Sequence, residues 1–77
     1  MSLARLKDLA ADAFDVDPEA VPDDAAAGVL PAWTSLRHLQ FMSAIEQEFG
    51  VRLTMDEMLS LQSLPDIVVF LRSRNRL

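Results

Sequence analysis

Leu3, Leu6, Leu9, Ala10, Ala13 and Phe14 recur at three- and four-residue steps. That spacing predicts a first helix over about residues 2–14, with Ser2 as its N-cap. The periodicity then stops. Pro18, Pro22, Gly28 and Pro31 interrupt the stretch from Asp15 to Pro31, which reads as an ordered loop. Its apolar residues Val16, Val21, Val29 and Leu30, with Trp33 just beyond, are expected to pin it to the core. Loops of this length in compact domains are usually functional or disordered.

Helical spacing resumes from Ser35 to Phe49, with Gly50 placed to end the helix. Leu36, Leu39, Phe41, Met42, Ile45 and Phe49 cover more than one narrow stripe, so this helix is expected to be buried on two sides at the centre of a bundle. Arg37, Gln40, Ala44 and Gln47 form its polar strip, flanked by His38 and Ser43. Thr54-Met55-Asp56-Glu57 has the form of a capping box opening a short third helix through about Ser60. Ser63-Leu64-Pro65-Asp66 opens a last one, with Pro65 in the first turn where its missing N–H costs nothing. Ile67-Val68-Val69-Phe70 alone could pass for a strand, but Leu64, Ile67, Val68 and Leu71 at i, i+3, i+4 and i+7 decide for helix. The expected fold is all-α, with three longer helices, one short helix and no strand.

The length of 77 residues fits one domain, 1–77. A chain this short buries only about 60% of its unfolded surface, so its core is thin. Its 51% hydrophobic and 25% charged residues describe a globular chain, and with no cysteine neither a disulfide nor a thiolate metal site can support it. The net charge is −5. Acids crowd the first third (Asp8, Asp12, Asp15, Asp17, Glu19, Asp23, Asp24), while beyond Asp66 all charges are positive: Arg72, Arg74 and Arg76. An acidic body argues against nucleic acid, and the terminal arginines are read as a solvated helix end complementing its own dipole. No run is long enough to span a membrane and the start lacks a signal-peptide pattern, so a cytoplasmic monomer is expected, with no functional weight on Met1-Ser2-Leu3.

Catalysis is poorly served. A serine nucleophile needs a base and an orienting third group. The single histidine, His38, follows Ser35 by one turn without a local acidic partner, and is read as a solvated surface residue. Asp23-Asp24 and Asp56-Glu57 are adjacent in sequence but point different ways. There is no glycine-rich phosphate loop and no metal-ligand spacing. The residue best placed for chemistry is Ser35 itself. At a helix N-terminus, backbone N–H groups and the helix dipole favour an attached phosphate.

Pro31-Ala32-Trp33-Thr34-Ser35-Leu36, His38-Leu39, Ala44-Ile45-Glu46-Gln47-Glu48-Phe49-Gly50-Val51 and Leu64-Pro65-Asp66-Ile67, in this order and spacing, resemble acyl carrier proteins and the related peptidyl carrier domains. Phe14-Asp15-Val16-Asp17-Pro18-Glu19 is similar to the start of that family's first loop. The resemblance implies a four-helix bundle of acyl-carrier type. It also implies a 4′-phosphopantetheine on Ser35, installed from coenzyme A by a Mg-dependent phosphopantetheinyl transferase. The thiol on that arm would carry an acyl or aminoacyl group as a thioester between a loading ligase and downstream transferases or synthases. Leu36 is expected to anchor the helix start in the core, and Trp33 to plug the loop against the bundle rather than contact the arm.

Two departures from the family pattern refine the expectation. Thr34 stands where the family has Asp; it can still cap the helix, but a negative charge beside the site is lost and loading by a generalist transferase should be slower. The second helix is also less acidic than in fatty-acid-synthesis carriers. Thr34, Leu36, Arg37, His38, Gln40, Ser43 and Gln47 are the expected partner-binding residues, and a specialised pathway (a polyketide, lipid or nonribosomal peptide) is the expected setting. The alternative is an unmodified carrier-like interaction module docking through Arg37, His38, Gln40 and Ser43, with the Arg72–Arg76 tail as a further contact.

Overall fold

Helix boundaries in this chain are set by local hydrogen bonds, and most of them fall where those bonds predict. The computed structural model describes residues 3–77, which form helices α1 (Leu3–Phe14), α2 (Ser35–Phe49), α3 (Met55–Ser60) and α4 (Leu64–Ser73), with a 3-10 turn at Pro18–Ala20. The expected Ser2 cap lies outside the described residues.

Three helices carry the expected side-chain cap. Thr34 Oγ1 accepts from the Arg37 N–H at 3.2 Å, and Ser63 Oγ from the Asp66 N–H at 3.2 Å. At α3 the capping box is complete. The Glu57 N–H donates to Thr54 Oγ1 at 3.1 Å, and the Thr54 N–H to Glu57 Oε1 at 2.8 Å. Gly50 ends α2 at φ 64°, ψ 38°, left-handed backbone that glycine reaches without a Cβ penalty. α1 and α4 end in the same way without glycine, on Asp15 (φ 57°) and Asn75 (φ 57°). In each, the next N–H reaches back five residues, Val16 to the Ala11 carbonyl at 3.1 Å and Arg76 to that of Leu71 at 2.8 Å. Asp and Asn are the side chains that best tolerate this conformation, so both ends are Schellman closures.

The core is built from α1, α2, α4 and the long loop. Leu6, Ala10 and Phe14 meet Phe41, Met42 and Ile45, with Leu64, Ile67 and Leu71 on the remaining side, all fully buried. The loop adds Val21, Ala25 and Trp33, while α3 contributes no buried side chain. Backbone bonds hold the loop as well. The Ala27 N–H donates to the Gln62 carbonyl at 2.8 Å and the Leu64 N–H to that of Ala25 at 2.9 Å, making an isolated bridge at Ala26 and Ser63. Among the described residues there is no strand, as expected. One expected pin fails: Val29 is 80% exposed, because loop turns at Val29 and Leu30 close on Ala26 and lift this side chain off the bundle.

Surface ion pairs bind the elements at their edges: Arg5 to Glu48 at 2.7 Å, Lys7 to Asp23 at 2.8 Å and Arg74 to Glu57 at 2.8 Å. Arg74 also lies 4.6 Å over the Phe70 ring, so the arginine tail is not wholly solvated as its sequence suggested. Among the described residues no helix is long and apolar enough to cross a membrane.

Candidate functional site

Thr34 and Ser35 sit where the loop turns into α2, and both are exposed. The division of labour between them is chemical. Thr34 spends its oxygen on the Arg37 N–H as the cap, which leaves Ser35 at the first helical position with its hydroxyl outside the capping bond. The positive end of the α2 dipole falls on that hydroxyl. Thr34 thus does in the structure what its capping chemistry predicts, without the carboxylate.

An open cleft of about 420 Å³ runs beside Ser35, lined by Gly28, Trp33, Ser35, His38, Leu39 and Leu59 among others. Trp33 forms its floor and is only 3% exposed. Its ring lies 4.9 Å from that of Phe14 and 5.6 Å from that of Phe41, and Phe14 and Phe41 are themselves 5.2 Å apart. This is the plug expected of Trp33. Tilted and edge-on geometry of this kind adds about 0.5–1.5 kcal/mol per pair beyond area burial.

His38 overturns its sequence reading. It is 6% exposed, accepts from Trp33 Nε1 through Nδ1 at 2.9 Å, and places Nε2 2.6 Å from the Met58 carbonyl oxygen. It is a core histidine with both ring nitrogens engaged, not a surface contact. A signal for this was present. Positions 38, 41, 42, 45 and 49 form one stripe at helical spacing, and all five are buried. Arg37 also turns inward. It is half-buried, and its guanidinium donates to the Phe14 carbonyl at 2.8 Å, capping the end of α1.

Leu36 moves the other way. It is 68% exposed, not an anchor in the core, because burial of the 38–49 stripe turns position 36 outward. Leu39, expected in the core, is 51% exposed for the same reason. Gln40, Ser43 and Gln47 are exposed on that side, as their polarity predicts. Two further exposed apolar residues, Met55 at 66% and Leu59 at 59%, come from α3, which sequence reasoning did not connect with Ser35. Leu59 lines the cleft with Ser35 and Leu39, a pairing of chain segments about twenty residues apart that no local pattern reports.

The acids of α2 are occupied. Glu46 accepts from the Leu53 N–H at 2.9 Å, and Glu48 is held by Arg5, whose hydrogen bond keeps the Glu48 carboxyl below the ordinary glutamate range. Glu57 on α3 is likewise lowered, first by the Thr54 backbone N–H. Among the described residues no cluster of three or more His, Cys, Asp or Glu could hold a metal ion. The arrangement offers one exposed hydroxyl on a helix N-terminus, an adjoining cleft and a neutral rim.

Residues 32–71 match the family model described as "Phosphopantetheine attachment site". The chain is also 34% identical over 73 residues to an acyl carrier protein of Thermosynechococcus vestitus, an alignment covering 94% of this chain and 89% of that protein.

Proposed function

Because the chain belongs to the phosphopantetheine-attachment family of acyl carrier proteins, whose members carry a covalent 4′-phosphopantetheine and perform no catalysis of their own, we propose that Ser35 is its attachment residue. The observation that carries this reading is the exposed Ser35 hydroxyl at the first position of α2, left out of the cap by Thr34 and opening on a cleft. The residues fit the group. A phosphodiester there faces helix N–H groups and the positive dipole end, and no carboxylate is among the cleft-lining side chains. In the transfer, Ser35 Oγ loses its proton to the transferase and forms a bond to the phosphorus on the pantetheine side of coenzyme A, while the adenosine half departs with its phosphates. The attached arm supplies the thiol that this cysteine-free chain lacks, and with it thioester carriage of an acyl or aminoacyl group. The chain's own part is to present that arm. Thr34 and Trp33 hold the loop-helix junction still, and the exposed Leu36, Leu39, Gln40, Ser43 and Gln47 give a visiting enzyme its footing.

The rim supports a specialised pathway over general fatty-acid synthesis. With Glu46 bonded to the Leu53 N–H and Glu48 paired at the surface with Arg5, the α2 side chains beside Ser35 are apolar or neutral polar, which suits partners that do not steer by a basic patch. Arg37 and His38 act in this reading as supports of the site rather than contacts. That weakens the unmodified docking module, which needs both on its surface. In this reading the chain works in the cytoplasm as a single-domain monomer serving a ligase and later transferases or synthases, where coenzyme A is at hand for its loading.

The test is intact mass before and after incubation with coenzyme A, Mg²⁺ and a promiscuous phosphopantetheinyl transferase. Gain of one phosphopantetheine on the parent and none on Ser35→Ala is expected; equal gain on both would remove Ser35 from the reading. Offering the loaded protein to fatty-acid-synthesis enzymes tests the pathway, and efficient turnover would overturn the specialised assignment.

A further inference from the structure

α3 has six residues and no fully buried side chain; of its apolar residues only Met58 packs, in part, against the core, so apolar burial holds it weakly. Leu53 and Leu61, 8% and 6% exposed, hold its two ends, and the partly buried Met58 side chain is the one apolar restraint on its roll. The Glu57–Arg74 pair lies at the surface, with Arg74 exposed and Glu57 half-buried, and such pairs contribute little. A helix this short also leaves most of its last carbonyls without an internal partner. His38 answers both needs from α2.

An indole N–H only donates, so the 2.9 Å contact from Trp33 makes His38 Nδ1 an acceptor. In the neutral ring Nε2 then carries the hydrogen and donates to the Met58 carbonyl at 2.6 Å, one of the orphan carbonyls of α3. In that tautomer Nε2 has no lone pair for the Gln62 amide 3.4 Å away, and Gln62 donates instead to the Leu59 carbonyl at 2.8 Å. One buried ring thus ties the loop, α2 and α3 together.

We propose that His38 is a positioning residue which assembles the docking face around Ser35. Its two hydrogen bonds help set the roll of α3 and the seat of Trp33, and so hold Leu59 opposite Leu39 across the cleft beside Ser35, with Leu36 and Met55 exposed on the same two helices. The occupant of that surface is the phosphopantetheinyl transferase, because an enzyme whose catalytic centre reaches Ser35 must cover its rim. The inference rests on Ser35 being the attachment residue. Its energetic logic is that a face built across two helices binds well only when both are held in register, since each loose element must be ordered on docking.

Two measurements test it. On the unmodified, 15N-labelled parent, NMR should report a bare Nδ1, a protonated Nε2 and a scalar coupling across the Trp33 Nε1–His38 Nδ1 hydrogen bond. The opposite tautomer would overturn the proposal, and this arm does not depend on loading. In loading kinetics, His38→Phe keeps a ring in place but removes both bonds. It should raise the KM for the carrier about tenfold and leave kcat within about twofold, the pattern of lost docking. His38→Gln, which retains one donor and one acceptor, should recover most of the loss, while Ile67→Val, a remote core change, should leave both constants unchanged. A folded His38→Phe with parental KM refutes the positioning role. Should His38→Phe fail to fold, Trp33→Phe removes one of the two bonds and must shift KM in the same direction. A parent that takes up no phosphopantetheine at all, with the tautomer as described, defeats the Ser35 assignment and not the tie.

Discussion

Thr34 performs two separable jobs, and a pair of substitutions pulls them apart. Its side chain caps α2 through a 3.2 Å hydrogen bond to the Arg37 N–H, and it is neutral where a carboxylate would bring charge to the site. Thr34→Ala removes the cap and adds nothing. Loss of a threonine N-cap costs about 1 kcal/mol. For a chain of 77 residues that is a drop of about 4–8 °C in melting temperature. Thr34→Asp keeps an acceptor in the capping position and sets a charge on the positive end of the helix, worth about 0.3–1 kcal/mol at low ionic strength. The expected thermal order is therefore Asp above Thr above Ala, and the Asp advantage should shrink as salt is raised. The loading rates should order differently. Asp exceeds Thr because it restores the charge a basic transferase meets, whereas Ala falls close to Thr because neither carries one. Once Ser35 bears a phosphodiester, the Asp variant places two anions on adjacent residues, so its thermal gain should diminish on loading. Circular dichroism melts of unmodified and loaded proteins, with initial rates by intact mass, give all of these quantities. An Ala variant that melts with the parent would refute the cap, and an Asp variant that loads no faster would refute the charge argument.

Gly50→Ala should destabilise by about 1–2 kcal/mol through backbone strain alone. The position holds φ 64° and an added Cβ would meet nothing closer than Arg76 Nη1 at 4.0 Å, so a thermal loss without any change in loading per folded molecule is expected. Glu48 and Glu57 both titrate below the ordinary glutamate value in the folded chain, held there by Arg5 and by the Thr54 N–H respectively. The folded state therefore binds fewer protons at these groups than the unfolded one. Their contribution is complete above the unfolded value of about 4.3, and it is lost as pH falls through the folded values. Melting temperature should decline over that acid range, and Glu57→Gln should flatten the decline; an unchanged acid limb in that variant would count against the capping box as its source. Leu36→Glu should leave the melt within about 0.5 kcal/mol because the side chain is exposed, yet raise the KM for loading, so a large loss of stability would return Leu36 to the core.

What the sequence by itself determined is the succession of helices and the chemistry at each of their ends. Thr34, Gly50, the Thr54–Glu57 box and the Ser63-Leu64-Pro65 start all act through bonds within a few residues, so a linear reading is enough to find them. The place of Ser35 at the first position of α2 was legible for the same reason, since it follows from the start of one helix. The tertiary structure alone decided which arc of α2 faces inward. Both 36-39-40-43-47 and 38-41-42-45-49 are helical stripes, and the second won because Phe14 and Trp33 pack on Phe41 while Trp33 and Met58 satisfy a histidine there. Burying a polar ring is costly unless its partners are waiting, and those partners come from the loop and α3, residues 5 and 20 positions away. The same choice turned Arg37 onto the end of α1, brought Leu36 and Leu39 to the surface, and set α3 beside the serine. Each of these outcomes depends on contacts between segments distant in sequence, which periodicity along a single helix does not encode.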